Sequence, residues 1–121
     1  MSGIQSYKDL LIWQKGIKLV FLVYELTKNF PQDEVYALTS QIKRASVSVP
    51  SNIAEGFGRR TDKSFNHFLN ISRGSLNELE TQLIISKELG FMVDENLYNE
   101  IILLIEEESK MIHSFSKNIK D

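Results

Sequence analysis

His67 and His113 are the only imidazoles in this 121-residue chain, and it has no cysteine. A carboxylate-bridged metal site in a helical bundle needs Glu-x-x-His pairs, because that spacing sets two ligands on one helix face. Ser64 and Lys110 stand where those glutamates would have to be, and no His-x-x-x-His pair exists. Both histidines therefore read as surface or half-buried packing residues, and neither a metal nor a cofactor is expected. Serine chemistry is no better supported. Ser46, Ser48 and Ser51 cluster in "SVSVPSNIAEGFGRR", residues 46–60. A serine nucleophile needs a base and oxyanion donors. No histidine lies near these serines in sequence, and G-x-S-x-G is absent. The "GFGRR" at the end of the stretch is not a phosphate loop. It lacks the Gly-Lys-Ser/Thr ending and offers only G-x-G. Gly56 and Gly58 read instead as a helix stop and a turn. No catalytic residue is assigned, and the chain is read as a non-enzyme; a small-ligand or metal enzyme has the least support.

The remaining chemistry is cationic. The formal net charge of −2 hides a strong asymmetry. Residues 41–75 hold six basic side chains, Lys43, Arg44, Arg59, Arg60, Lys63 and Arg73, against Glu55 and Asp62. Residues 76–121 hold four basic against ten acidic side chains. Arg59 and Arg60 fall in a turn and Lys63 opens the next helix, where guanidinium forks could grip phosphates. Lys43 and Arg44 lie about four turns back along the second helix. There they form a separate patch or pair with glutamates. The competing role for the whole set is intersubunit salt bridges to the acidic fourth helix. Aromatic residues are not interleaved with these cations along the chain, so stacking of single strands is not indicated.

Four amphipathic segments must position these groups, over about residues 8–29, 33–57, 61–89 and 94–118 of one domain, 1–121. The first carries two apolar stripes: Leu10, Trp13, Ile17, Val20 and Tyr24, and beside it Ile12, Leu19, Val23, Leu26 and Phe30. That is more than one core needs. Pro31 stops it. Asp33 is expected to cap the second helix, whose Leu38, Ile42, Ala45, Val49 and Ile53 keep the helical period across Pro50. Thr61 caps the third, with Phe65, Phe68, Leu69, Ser72, Leu76, Leu79 and Leu83 inward. Gly90 ends it in the left-handed conformation, with Phe91 behind. Asp94 caps the fourth, with Leu97, Ile101, Leu104, Met111, Ile112 and Phe115 inward and Glu106, Glu107 and Glu108 mostly outward. Short connections make neighbours antiparallel, giving an all-α up-down-up-down four-helix bundle. Pro50 either breaks helix two or kinks it. The unbroken period favours a kink, with Ser48 and Ser51 available to bond freed backbone groups.

No segment has the length to span a bilayer, and the N-terminus lacks a signal-peptide pattern, so a cytoplasmic, membrane-free protein is expected.

The stretches "YKDLLIWQKGIKLV", "LTSQIKRASVSVPSNIAEGFGRR", "FLNISRGSLNELETQL" and "KELGFM" resemble the four-helix-bundle proteins encoded in intervening sequences of bacterial 23S ribosomal RNA genes. The resemblance spans roughly residues 7–115. It implies a ring-like homopentamer without enzymatic activity. That group is similar to the accessory variability protein of diversity-generating retroelements, a pentameric barrel that binds a reverse transcriptase and nucleic acid through a basic surface. The family motif carries over as Arg44, Ser48, Pro50, Asn52, Glu55, Gly56, Arg59 and Arg73, none with a catalytic role. The acidic balance of this chain departs from that basic protein. The double stripe of helix one gains a use: one stripe can face the core and the other a neighbouring subunit. Asn52, Glu55 and Arg73 are expected to form a buried polar network, Glu55 pairing with Arg73 or Arg59 between helices two and three. The expected function is an oligomeric scaffold that binds RNA, DNA or a protein such as a reverse transcriptase. The alternative is a protein–protein module without nucleic-acid contact.

Overall fold

The computed structural model describes residues 4–119. Its helices are α1 (Leu11–Thr27), α2 (Leu38–Gly58), α3 (Asp62–Glu88) and α4 (Glu95–Lys117), with single 3-10 turns at Tyr7–Asp9 and Gln32–Glu34. Two starts follow the expected chemistry. The Thr61 side chain accepts from the Ser64 amide at 3.2 Å and the Asp94 carboxylate from the Leu97 amide at 3.0 Å, each supplying an acceptor to a helix end that lacks one. The end of α3 also follows: Gly90 has φ +82°, and the Phe91 amide reaches back to the Ser86 carbonyl at 3.0 Å.

Two starts differ. Residues 7–9 form a separate 3-10 turn, and extended Leu10 divides it from α1. Asp33 does not cap α2, because it sits inside the 3-10 turn and the helix begins only at Leu38. The acceptor there is the Glu34 carboxylate, 3.3 Å from the Leu38 amide.

Pairwise contacts fix the topology. Along α1 and α2, Gly16 meets Pro50 and Tyr24 meets Lys43. Along α2 and α3, Ser48 meets Ser75, Val49 meets Ser72 and Gly56 meets Phe68. Asn66 bonds Ser116 and Lys87 pairs with Glu95 across α3 and α4, while Lys15 pairs with Glu107 across α1 and α4. In the first three helix pairs one number rises as the other falls, so each is antiparallel, and that order makes α1 antiparallel to α4 as well. Among the described residues, α1 with α3 and α2 with α4 share no Cα pair within 8 Å and form the diagonals. The fold is an up-down-up-down bundle. One end holds the α1–α2 and α3–α4 connections, where the Phe30 and Phe91 rings lie 6.0 Å apart. The other holds the α2–α3 turn, where Phe57 and Arg60 share a cavity with Ile4.

The core is one cluster. On α1 its members are Ile12, Leu19, Val23 and Leu26, the second of the two stripes; Trp13, Ile17 and Val20 lie half-buried at its margin and Tyr24 is exposed. On α2, α3 and α4 the expected inward residues are buried, except that Leu38, Phe68, Leu97, Met111 and Phe115 are half-buried. Glu106 and Glu107 face solvent, as expected of most of the glutamate run, but Glu108 is fully buried. Four residues beyond Leu104 and four before Ile112, it occupies an inward position of α4 by the helical period.

Pro50 does not break α2, which runs as one helix from Leu38 to Gly58. The proline is buried against Gly16, where an added Cβ would stand 3.2 Å from the Pro50 Cβ. Neither Ser48 nor Ser51 serves the freed backbone: Ser48 Oγ turns to Ser75 at 2.8 Å, and Ser51 is exposed. The glycine reading also changes. Gly56 is buried within α2, and a Cβ on it would come 2.6 Å from the Phe68 Cβ. It is there for close approach of α3. Gly58 ends the helix, while Arg60, at φ +68°, takes the left-handed turn position.

Candidate functional site

The bundle separates the six cations. Sixteen residues of α2 divide Lys43 from Arg59, a span of roughly 24 Å. Lys43 and Arg44 lie toward the α1–α2 end. The Lys43 ammonium sits 4.8 Å from the centre of the Tyr24 ring, and an Arg44 guanidinium nitrogen donates to Ser40 Oγ at 3.3 Å. With Tyr24, Val35, Tyr36, Ser40 and Val47 they line an open groove of ≈ 440 Å³. At the opposite end, Arg59 pairs with Glu55 at 2.9 Å and covers the Phe68 ring at 5.0 Å, while Arg60 and Lys63 are exposed beside it. Arg73 lies between the two groups, half-buried, its Nε enclosed and without a hydrogen-bond partner.

The expected Asn52–Glu55–Arg73 network does not form. Asn52 Nδ2 donates to the Ser48 carbonyl at 2.8 Å and to Ser48 Oγ at 2.9 Å, which in turn bonds Ser75 on α3. Glu55 takes Arg59, one of the two partners expected, but within the end of α2 rather than across to α3. Both side chains are about half exposed, so the pair is worth only about 0.3–0.5 kcal/mol. The motif residues Ser48, Pro50, Asn52 and Gly56 thus fasten α2 to its neighbours. Ser72 Oγ adds a buried bond to the Val49 carbonyl at 2.9 Å.

Sequence reasoning did not find two features beside Arg44. One is Tyr36, whose surface is 97% exposed. It precedes the helix and belongs to neither apolar stripe. The other is a polar cleft of ≈ 300 Å³ between α2 and α3, lined by Gln41, Arg44, Ala45, Ser48, Glu78 and Gln82. Gln82 is 8% exposed and its Oε1 has no hydrogen-bond partner. A signal existed: Ser75, Leu79, Gln82 and Ser86 follow one inward stripe of α3, so a polar group was bound to enter the interior there.

Glu108 is the other enclosed polar group. Both carboxylate oxygens lack a partner, and burial pushes its pKa up to about 8, against a smaller opposing pull from Lys15. Lys15 bonds Glu107 instead, at 2.8 Å, and holds that carboxyl below its ordinary value. Among the described residues no three His, Cys, Asp or Glu side chains come together as a metal-binding group. No helix among them is long and apolar enough to cross a membrane.

The family model described as "23S rRNA-intervening sequence protein" matches residues 8–114. The chain belongs to that family. A solved structure from Bacteroides thetaiotaomicron, a protein with unknown function from the S23 ribosomal protein family, matches with a TM-score of 0.80 at 23% identity. The match covers 89% of this chain and 96% of that one. It supports the bundle fold of this 23S rRNA-intervening sequence protein. No curated protein matches.

Proposed function

We propose that this 23S rRNA-intervening sequence protein is a non-enzymatic, oligomeric scaffold that binds nucleic acid, or a protein that processes it, through its basic surface. The observation that carries this reading is the cations' lack of acidic partners. Among the described residues, the four ion pairs use only Arg59 of the six candidate cations. Lys43, Arg44, Arg60, Lys63 and Arg73 are left to meet an external anion. Released counterions would make such binding weaken steeply with salt. A gel-shift series with RNA and DNA across ionic strength tests it; no shift at low salt removes the reading.

The oligomer we propose is the homopentamer implied by the family resemblance. Exposed Phe21 on α1 and Leu103 on α4 supply apolar contact area for it. A head-to-tail contact of this kind closes into a ring. Light scattering is the check, and a monomer at micromolar concentration refutes it. The same exposed apolar residues favour a second reading, a protein–protein module without nucleic-acid contact. That reading predicts a salt-tolerant complex. Both readings place the protein in the cytoplasm.

A further inference from the structure

The fold assembles a surface that the linear sequence does not contain. Chain reversal between α1 and α2 brings Tyr24 and Tyr36 to the same groove as Lys43 and Arg44. Tyr36 stands almost wholly in solvent, and neither cation has an acidic partner among the described residues. Arg44 also lines the adjoining polar cleft, so groove and cleft meet at its side chain. In that cleft, Gln82 Oε1 is buried without a donor and Glu78 offers a second acceptor. The opposite basic end differs. There Arg59 is engaged by Glu55 and Phe68, and no exposed tyrosine accompanies Arg60 and Lys63.

We propose that this α1–α2 surface binds single-stranded nucleic acid, with an unpaired base stacked on Tyr36 and phosphates held by Lys43 and Arg44. The proposal rests on the nucleic-acid reading above and names both the form bound and the place. An accessible ring next to two cations is the combination that single strands use, because every unpaired base has a stacking face. The cleft beside it carries hydrogen-bond acceptors. Glu78, exposed at its rim, accepts from an exocyclic amine of a base edge. A duplex offers neither group freely: its bases stack on one another and its edges are paired. The surface therefore prefers a single strand to a duplex.

The test is fluorescence anisotropy at low salt on the full chain, with a short mixed-sequence RNA and the same strand annealed to its complement. The unchanged protein is expected to bind the single strand more tightly. Tyr36→Ala is expected to weaken single-strand binding at least about five-fold, and Tyr36→Phe, which keeps the ring, to bind as the unchanged protein does. Lys110→Ala, at an exposed cation of α4 outside this surface, is expected to preserve the preference. Because Tyr36 is so exposed, its loss leaves the core untouched. Salt-sensitive binding that survives Tyr36→Ala, or equal binding of duplex and single strand, overturns the proposal while leaving the broader nucleic-acid reading intact. No binding of either form removes both. A change of mass by light scattering in Tyr36→Ala assigns the face to a second copy of the chain and also overturns the proposal.

Discussion

Replacing Glu108 with glutamine removes a dependence of stability on pH that a buried neutral carboxyl creates. Its side chain is fully enclosed, near Gly16 of α1, and neither oxygen has a partner. Desolvation raises its pKa from an ordinary 4.5 to about 8. The folded protein therefore keeps this proton over a range where the unfolded chain has released it. Stability falls as pH rises through that window, because the folded state binds more protons. The contribution is fully present below about pH 4.5 and is lost by the time pH has passed about 8. A shift of this size corresponds to a loss on the order of 3–5 kcal/mol. Glutamine has nearly the same shape but no charge to acquire, so Glu108→Gln lacks this loss. The assay is urea unfolding of both proteins at steps from pH 5 to pH 9. The difference between them cancels every other titrating group, and the variant is expected to gain on the parent with each unit of rising pH, reaching a few kcal/mol at pH 9. A fixed offset from glutamine's extra N–H groups does not alter that slope. A difference that stays flat across the range refutes the reasoning, because it means the folded carboxyl is already ionised.

Two further substitutions probe the frame. Gly56→Ala puts a methyl 2.6 Å from the Phe68 Cβ, so α2 and α3 must move apart; a loss of about 1–3 kcal/mol in urea unfolding is expected, and a neutral result would contradict the close approach. Asp94→Ala removes the acceptor for the Leu97 amide and is expected to lower stability by about 1 kcal/mol, while Asp94→Asn, which keeps a side-chain oxygen, recovers most of it.

What could be read from the sequence was whatever local chemistry decides. Thr61, Asp94 and Gly90 act where they stand because a cap needs only its own helix end. Periodicity located the inward stripes of α2, α3 and α4 for the same reason. The start of α2 was misplaced because Asp33 is a good cap in an equally good position, and only the intervening 3-10 turn, with Tyr36 and Ala37 after it, delays the helix to Leu38. Helix one could not be oriented from its own pattern, since both stripes are apolar and the choice between them is made by Pro50 and α4 meeting Gly16. Glu108 was hidden by its neighbours: in a run of three glutamates composition signals solvent, while the helical period turns one of them inward. The six cations were visible as residue types, but their division between two ends needs the antiparallel register. Tyr36 gained meaning only when the chain reversal placed it beside Arg44.

The tight seam between α2 and α3 also bears on how the molecule opens. Gly56 under Phe68, Ser72 on the Val49 carbonyl and Ser48 against Ser75 join these two helices along residues 48–56 of α2. By contrast α4 adds to its share of the apolar core only a surface ion pair with α1, Lys15 with Glu107, and carries an unpartnered carboxyl into the interior. Free energy of opening is thus unevenly distributed. The α2–α3 hairpin forms the slow-exchanging unit, and α4 leaves it first. Amides of Val49, of Ser51 to Ile53 and of Leu69 to Leu76 should outlast those of α4 in deuterium exchange. The stiff hairpin carries Arg44 near one end and Arg59 at the other, so anything grasping both would be held at a fixed separation by the most persistent part of the fold.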